Sequence, residues 1–504
     1  MRSGHLPRTS GTVTVADVAA FLGRDAPAGN DVAIRDVCDD SRALRPGDLY
    51  LALPGRRHHG LEFERDAIER GAVAVVSDRV ADHLPTVVVP HPRTVAGPLA
   101  SWFHGHPSSA LEVYGVTGTN GKTSTTHFLH AGLQGAGRSP GLVSGVAISS
   151  FDGAAERPIR TTPEATVLQR TLATFVHNGC DSAAVEVSSH AVVEHRSDGL
   201  DFAVLAFTNL GRDHLDYHGS MENYYAAKAS LFDPERARAA VVGVDDEWGR
   251  RLAAECALDV TTVSTSDAAA DVLATDIDCT AHRTSFRART PVGSVELTLP
   301  VLGPHQVSNA LVALAALVAG GHDLDAAAHG ISSVHGIPGR LEPVVAGQPF
   351  TALVDYMHNP SGQRSTIPYL RSITRGRLVL VIGATGGRDP GKRAELGAVA
   401  GRWADTVIVT DESPVDDVPD VLRGDVLAGA RTTPAQVIEI PDRRAAIDRA
   451  VRGLGADDTV VVAGRGSDRW QHVGSRRVYF DDAAELYDAI VHDGGAPEVR
   501  SGRP

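Results

Sequence analysis

Residues 111–134 read LEVYGVTGTNGKTSTTHFLHAGLQ: a hydrophobic run, a glycine-rich loop and a run of helix-forming residues. This order predicts a strand, a phosphate-binding loop and a helix. Glycines let backbone N–H groups turn towards phosphate oxygens, and the positive end of the helix dipole adds to the attraction. In such a loop Lys122 would reach the β- and γ-phosphates and Thr123 would hold Mg²⁺. The stretch therefore predicts an ATP site in an α/β domain.

Short β-rich runs alternate with alanine-rich helical stretches on both sides of this loop, which is typical of α/β layers with largely parallel sheets. The chain has 504 residues, too many for one compact core. The segment 333–343 is rich in glycine and proline and is expected to be a linker. We predict three α/β domains, at 1–108, 109–337 and 338–492, and a disordered tail at 493–504.

The composition excludes several classes of protein. A net charge of −14 argues against general nucleic-acid binding. Four scattered cysteines argue against a disulfide framework or a zinc ribbon and fit a reducing compartment. No apolar run reaches the roughly 18 residues that span a bilayer, and the N-terminus lacks a signal-peptide core. We expect a cytoplasmic protein with no membrane partner.

Lysine is rare in this chain: Lys122, Lys228 and Lys392 are the only three among 48 basic residues. Arginine supplies positive charge elsewhere, so each lysine is expected to stand where a guanidinium cannot replace an amine.

The loop TGTNGKT (117–123) resembles the phosphate loop of the Mur ligase family, which joins amino acids to peptidoglycan precursors. The resemblance covers nearly the whole chain and is strongest to the MurE branch, which acts on UDP-N-acetylmuramoyl-L-alanyl-D-glutamate. It implies an N-terminal uridine-nucleotide domain, a central ATP-binding domain and a C-terminal Rossmann-like domain for the amino acid. The loop residues implied to bind ATP are Thr117, Gly118, Thr119, Asn120, Gly121, Lys122 and Thr123.

Three scattered residues resemble the family's metal site. Glu186 ends the run AAVEV, His214 lies in TNLGRDHLDYHG, and Lys228 lies in the predicted helix MENYYAAKASLF. The resemblance implies that Glu186 and Thr123 hold one Mg²⁺ and that His214 helps with a second. It also implies that CO₂ carbamylates Lys228, which only an amine that can lose its proton allows. Lys122, Glu186, His214 and Lys228 are thus the expected catalytic residues.

Further segments resemble the family's contacts to ATP. Asn309 corresponds to an adenine contact, Arg340 in GRLE to a phosphate contact and Asp355 in VDYMHNP to a ribose contact. Where the MurE branch usually has Phe-Asn, this chain has His305-Gln306, which is more similar to folylpolyglutamate synthetases.

The precursor side of the site is implied by short hydroxyl-rich motifs. Ser41 lies in DSR, Thr161 and Thr162 in TTPE, and Ser188 and Arg196 in SSHAVVEHR. Glu194 replaces the family's glutamine, and a carboxylate facing an anionic substrate would cost affinity. Either that contact is lost or the substrate differs.

The amino-acid side departs most from the family. GATGGRDPGKR (383–393) places Arg393 to pair with an α-carboxylate. Gly464 and Asp468 lie in GRGSD, where an acidic residue is implied to meet the distal ammonium of the amino acid. Diaminopimelate-adding enzymes carry DNPR where TDESPVDD stands, so Ser413 replaces asparagine and Val415 replaces arginine. Since valine cannot pair with a second carboxylate, we expect another amino acid, such as lysine, ornithine or a neutral one.

The implied activity is ATP-dependent, ADP-forming amide ligation through an acyl phosphate, by a monomer. One alternative is a ligase of the same fold from specialised metabolism or polyglutamate-type chemistry, with another carboxylate acceptor. A second is a binding subunit without turnover, for which loss of Lys122, Glu186 or Lys228 would be the signature; all three are present.

Overall fold

The computed structural model describes residues 12–27, 31–55, 57–151, 153 and 155–493. Within these ranges the chain forms three α/β units, each built on its own sheet. The predicted α/β architecture is therefore confirmed. The limits of the predicted domains stay a prediction, and the predicted tail lies outside the described residues from 494 onwards.

The first unit is a parallel sheet in the order β1-β2-β3-β4 with helices packed against it. Its elements are α1 (Val15–Phe21), β1 (Val37–Cys38), β2 (Leu49–Leu51), a 3-10 helix (Gly60–Phe63), α2 (Glu64–Glu69), β3 (Ala74–Ser77), β4 (Thr86–Val88), α3 (Pro92–Phe103) and α4 (Pro107–Ala110).

The central unit contains the longest sheet of the described chain, in the order β14-β13-β12-β11-β10-β9-β5-β8-β6-β7. Its elements are β5 (Glu112–Thr117), α5 (Lys122–Gly135), β6 (Pro140–Val143), β7 (Ile148–Ser149), α6 (Ala165–His177), β8 (Ser182–Glu186), α7 (Ser189–Val193), β9 (Phe202–Phe207), α8 (Leu215–His218), α9 (Met221–Ala229), β10 (Ala237–Gly243), α10 (Glu247–Glu255), β11 (Asp259–Ser264), β12 (Val272–Cys279), β13 (Thr284–Thr290), β14 (Gly293–Leu299), α11 (Pro304–Ala319) and α12 (Leu324–Ser332).

Strand β5 lies inside this sheet and pairs in parallel with β8 and β9. Its apolar residues are buried on both faces, as expected for a parallel strand covered by helices. The glycine-rich loop follows β5, so the phosphate loop opens at the carboxyl edge of the sheet, where ligands bind in α/β folds.

The third unit has a second mostly parallel sheet, in the order β15-β16-β20-β17-β18-β19, and a separate hairpin of β21 and β22. Its elements are β15 (Glu342–Pro343), β16 (Thr351–Asp355), α13 (Pro360–Ile373), β17 (Leu378–Ile382), a 3-10 helix (Pro390–Lys392), α14 (Arg393–Trp403), β18 (Thr406–Val409), α15 (Pro419–Ala430), β19 (Gln436–Glu439), α16 (Arg443–Val451), β20 (Thr459–Ala463), β21 (Trp470–Val473), β22 (Arg476–Tyr479) and α17 (Asp482–Asp493).

None of the helices in the described ranges is both long enough and apolar enough to cross a bilayer.

Candidate active site

The loops at the carboxyl ends of the central and third sheets line one cleft of about 1440 Å³. The predicted site residues that line it are Thr119, Asn120, Gly121, Lys122, Thr123, Thr161, Glu186, Ser188, Arg196, His214, Asn309, Arg340, Asp355, Ser413, Gly464 and Asp468. Six others do not line it: Ser41, Thr117, Gly118, Thr162, Lys228 and Arg393. The cleft thus brings together residues that lie more than 300 positions apart in the chain.

The phosphate loop is closed around its own backbone. Gly121 has φ +86°, and a Cβ there would collide with Asn309 Oδ1, so glycine is required. The amine of Lys122 donates to the carbonyl oxygens of Gly118 (3.1 Å) and Thr119 (2.9 Å). Lys122 thus lies over the loop where phosphate oxygens would bind.

Thr123 and Glu186 meet at the start of α5. Thr123 Oγ1 donates to Glu186 Oε2 at 3.0 Å, and Gly145 N–H donates to the same oxygen at 2.7 Å. The guanidinium of Arg340, from the linker, donates to Thr123 Oγ1 at 3.1 Å. The Thr123 hydroxyl therefore contacts both the buried carboxylate of Glu186 and the guanidinium of Arg340, a group that could bind phosphate.

His214 and Asp213 form the second part of the centre. His214 has φ +55°, and within the ranges that the structure describes its buried Nδ1 has no hydrogen-bond partner. Burial lowers the pKa of His214 to about 2, so the imidazole is neutral and its free nitrogen can act as a metal ligand. Burial alone would raise the pKa of Asp213, but the hydrogen bond from His358 and nearby positive charges hold it well below its usual range.

Asp213 is also the anchor between two units. Lys392 Nζ lies 3.0 Å from Asp213 Oδ1, and the Asn359 amide donates to Asp213 Oδ2 at 3.1 Å. Sequence reasoning missed Asp213, because one aspartate between an arginine and a histidine carries no distinctive pattern.

Lys228 is buried beneath the phosphate loop, with 1 % of its surface exposed. Its Nζ donates to Gly118 O at 2.7 Å. Burial, together with the positive charge of Lys122, holds the pKa of Lys228 well below its usual range. The shift is towards the neutral amine that carbamate formation requires.

Some of the predicted metal ligands have the donor atoms that Mg²⁺ prefers. The Thr123–Glu186 oxygen pair supplies the kind of donor that Mg²⁺ prefers. The orphaned Nδ1 of His214 is a nitrogen donor, which matches Mg²⁺ less well than oxygen does. Among the described residues no group of three His, Cys, Asp or Glu side chains is arranged to hold a metal ion. A ligand set with one carboxylate, one imidazole, a hydroxyl and a modified amine would not form such a group.

The side chains predicted to contact nucleoside are held firmly. Asn309 Nδ2 donates to Gln306 Oε1 at 3.1 Å. Both carboxylate oxygens of Asp355 accept backbone N–H groups, from Leu341 (2.7 Å) and Met357 (2.8 Å). Burial raises the pKa of Asp355.

On the precursor side, the structure removes the difficulty with Glu194. Arg196 pairs with Glu164 at 3.2 Å, whereas Glu194 pairs with Arg93 at 3.1 Å and does not line the cleft. Its negative charge is thus compensated away from the substrate. Thr162 is buried and donates to the carbonyl of Glu186 at 2.9 Å, so it supports the metal side of the cleft.

On the amino-acid side, Arg393 faces away from the cleft. Its guanidinium pairs with Asp417 (2.8 Å) and Asp425 (3.1 Å) within the third unit. Arg388, five residues earlier in the same loop, lines the cleft instead. Its positive charge contributes to the lowered pKa of His214. Sequence reasoning quoted this loop but selected the wrong one of its two arginines as the one facing the cleft.

Ser413 and Glu412 lie at the far end of this side of the cleft. Arg465 Nη1 donates to Ser413 Oγ at 3.1 Å. Glu412 is 3 % exposed; Thr385 donates to its Oε1, while its buried Oε2 has no hydrogen-bond partner in the described part of the chain. Glu412 was not predicted from the sequence, and only its place in TDESPVDD could have drawn attention to it.

Comparison with known protein families gives a consistent result along the chain. The Mur ligase family catalytic domain matches residues 34–98, the Mur ligase middle domain matches 116–317, and the glutamate ligase domain of Mur ligases matches 339–466. The chain belongs to the Mur ligase family of ATP-dependent ligases. The resemblance stated from its motifs is confirmed.

Individual relatives indicate which branch of the Mur ligase family this chain is most similar to. A Streptomyces coelicolor protein named UDP-N-acetylmuramoyl-L-alanyl-D-glutamate–2,6-diaminopimelate ligase is 42 % identical, over 94 % of this chain and 96 % of its own. A Leifsonia xyli protein named UDP-N-acetylmuramyl-tripeptide synthetase is 40 % identical, over 93 % and 95 %. A solved structure of a diaminopimelate ligase of the same name as the first is 27 % identical with a TM-score of 0.66, over 96 % of this chain and 100 % of that one.

Proposed function

We propose that this chain adds the third amino acid to UDP-N-acetylmuramoyl-L-alanyl-D-glutamate in peptidoglycan precursor synthesis, with conversion of ATP to ADP. The observation that carries the proposal is that the central and third units line the same cleft. Its central-unit wall contains the phosphate loop and Glu186, and its third-unit wall contains Arg388, Ser413 and Asp468. Relatives that are 40 % identical or more over nearly the whole chain carry names for this reaction.

In the first step the γ-carboxylate of the D-glutamyl end attacks the γ-phosphorus of ATP, giving an acyl phosphate and ADP. This step needs stabilisation of charge on the transferring phosphoryl group more than it needs covalent chemistry. Lys122 and Arg340 supply positive charge at the loop and at Thr123. Mg²⁺ held by Thr123, Glu186, His214 and a carbamate on Lys228 would neutralise phosphate charge.

In the second step the amine of the incoming amino acid, having lost a proton, attacks the acyl carbonyl, and the tetrahedral intermediate collapses with loss of phosphate. Arg388 is the guanidinium that we assign to the α-carboxylate, because it lines the cleft and, among the described residues, no carboxylate forms an ion pair with it. Arg393 instead holds the loop through Asp417 and Asp425. A bidentate guanidinium–carboxylate pair would fix the direction of the attacking amine.

The remaining contacts are proposed as follows. Asn309, Asp355 and the loop residues 117–123 would bind ATP, while Ser41, Thr161, Thr162, Ser188 and Arg196 would serve the precursor, Thr162 through its contact with Glu186. Ser413, Gly464 and Asp468 would face the amino-acid side chain. We expect a cytoplasmic protein. We also expect a monomer, and size-exclusion chromatography with light scattering tests its oligomeric state.

Product mass tests the function directly. The protein is incubated with MgATP, bicarbonate, the UDP-dipeptide precursor and one amino acid at a time. The expected result is ADP and a nucleotide product heavier by one amino-acid residue. ADP formation only with a folate-type γ-glutamyl acceptor would replace this proposal by the polyglutamate alternative.

Carbamylation of Lys228 has its own readout. With ¹³C-bicarbonate, the wild-type protein should show a carbamate carbon resonance that Lys228→Arg lacks. The variant keeps a positive charge but cannot form a carbamate, so it should also lose ligase activity. A resonance that persists in the variant, or full activity without one, would contradict the assignment.

A further inference from the structure

We infer that Arg477, on the β21–β22 hairpin, reads a second carboxylate at the far end of the amino-acid substrate, so that the enzyme selects a diamino diacid in spite of Val415. The inference rests on the proposed function, because it names the substrate class of the same cleft.

Backbone hydrogen bonds join the loop that contains Val415 to the β21–β22 hairpin. Val415 N–H donates to His472 O at 2.9 Å, and Gly474 N–H donates to Val415 O at 2.6 Å. Val415 has φ +56°, a strained conformation that a β-branched residue keeps only where its surroundings impose it. The two hydrogen bonds impose it, so position 415 and the hairpin form one wall.

Arg477 lies on this wall and faces the cleft. It is the cross-strand partner of His472, whose carbonyl holds Val415, and both residues line the cleft together with Val415. Its guanidinium stacks on the Trp470 ring, 4.6 Å from the centroid. This stacking orients the side chain without using its hydrogen-bond donors.

Arg477 is also available for a ligand. Within the part of the chain that the structure describes, no carboxylate forms an ion pair with it, whereas its neighbour Arg469 is bound to Asp481 at 2.7 Å. Within the described residues Arg388 likewise forms no ion pair with a carboxylate, so the third unit offers Arg388 and Arg477 to the carboxylates of a ligand in the cleft.

The same end of the cleft has sites for an ammonium group. Glu412 presents a buried oxygen that has no hydrogen-bond partner among the described residues, and a buried acceptor in this state is destabilising until a donor reaches it. Asp468 lines the cleft as well. A ligand end that carries both an ammonium and a carboxylate satisfies Glu412 and Arg477 together; the ammonium of lysine alone leaves Arg477 unused.

Diaminopimelate is an amino acid of this kind, and it stands in the names of relatives 42 % and 40 % identical to this chain. The expectation of another amino acid is therefore wrong in its premise. It assumed that a guanidinium for the second carboxylate had to come from position 415, whereas a strand 62 residues further along the chain brings one to the same wall.

The test compares meso-diaminopimelate with L-lysine, which is the same chain without the distal carboxylate. For Arg477→Gln we expect KM for diaminopimelate to rise about ten- to a hundredfold, as for loss of a charged hydrogen bond, with kcat nearly unchanged and KM for lysine unchanged. Arg476→Gln is the matched control, because Arg476 is exposed on the same strand and does not line the cleft; it should behave as wild type. Val415→Arg placed on Arg477→Gln should recover part of the loss.

Three results would overturn the inference. One is a wild-type enzyme that prefers lysine, which leaves the ligase function intact. Another is an Arg477→Gln variant that is indistinguishable from Arg476→Gln. The third is an equal loss for both amino acids, which indicates a structural role of the hairpin. Failure of the proposed function itself has a different signature: no ADP and no heavier nucleotide with either amino acid.

Discussion

Two ion pairs join the central and third units through the same two segments, and they differ mainly in burial. Lys392 Nζ lies 3.0 Å from Asp213 Oδ1, with side-chain exposures of 6 % and 2 %. Arg212 Nε lies 3.0 Å from Asp389 Oδ2, but the arginine side chain is 47 % exposed. Lys392→Met removes the buried amine and keeps most of its stem, and Arg212→Gln is the matched change at the exposed pair.

The magnitudes follow from burial. Removing Lys392 leaves the Asp213 carboxylate buried with one cation fewer, which costs about 3–5 kcal/mol. The exposed pair is worth less than about 1 kcal/mol, because water and salt screen it. At about 2–4 °C per kcal/mol for a unit of 150–250 residues, Lys392→Met should lower the melting temperature by about 6–20 °C and Arg212→Gln by less than about 4 °C.

Differential scanning calorimetry of both variants at low and high salt measures the difference. The double variant Lys392→Met/Asp213→Asn is the decisive control, because removing both partners of a buried pair costs much less than removing one. It should recover a large part of the stability that Lys392→Met loses. Equal shifts for the two single variants, or a double variant that is simply additive, would refute the assignment of Lys392 as the buried anchor.

Three other outcomes are expected. Gly121→Ala should abolish ATP binding in isothermal titration calorimetry while the fold persists, because its Cβ collides with Asn309 Oδ1 and its φ is +86°; unchanged affinity would contradict the loop geometry. Glu194→Gln should leave KM for the precursor within about twofold in a steady-state assay, because the carboxylate pairs with an arginine of the first unit; a large fall in KM would show that its charge does face the substrate. Although burial opposes it, the contact with His104, whose Nε2 lies 3.3 Å from Asp36 Oδ1, and the positive charge of Arg170 lower the pKa of Asp36 from 3.8 to about 2. Asp36 therefore contributes about 2 kcal/mol above pH 4 that is lost as the pH falls towards 2. Urea unfolding between pH 6 and 2.5 should show a steeper loss in wild type than in Asp36→Asn, and parallel curves would contradict the shift.

The phosphate loop was predictable because its elements are contiguous. Strand β5, the glycines and α5 follow one another, so local sequence determines their geometry. Arg388 and Arg393 show the limit of prediction from local sequence. Both belong to one quoted motif, but Arg393 begins α14 and meets Asp417 and Asp425, which a sequence reader cannot place opposite it.

Glu194 shows the same limit in the opposite direction. The sequence shows a carboxylate where the family has an amide, and electrostatics alone then predicts a conflict with an anionic substrate. The conflict is absent because Arg93, from the first unit, compensates the charge at 3.1 Å. A partner about a hundred residues away becomes a neighbour only through the packing of two units, so no local pattern could indicate it.

The three lysines give the physical reason why arginine could not replace them. Lys122 and Lys228 both donate to the carbonyl oxygen of Gly118, where two planar guanidiniums would not fit around a single acceptor. Lys392 had no chemical explanation from the sequence. In the structure it is a compact cation that reaches one oxygen of Asp213 in a buried contact, while the other oxygen is taken by His358 and Asn359. A guanidinium there would bring several donors to a carboxylate with one oxygen left to share. Each donor without an acceptor would be buried at a cost of about 1–3 kcal/mol. Retention of lysine in an arginine-rich chain therefore marks points in the phosphate loop and at the unit interface where a compact amine fits and a guanidinium, with its additional donors, does not.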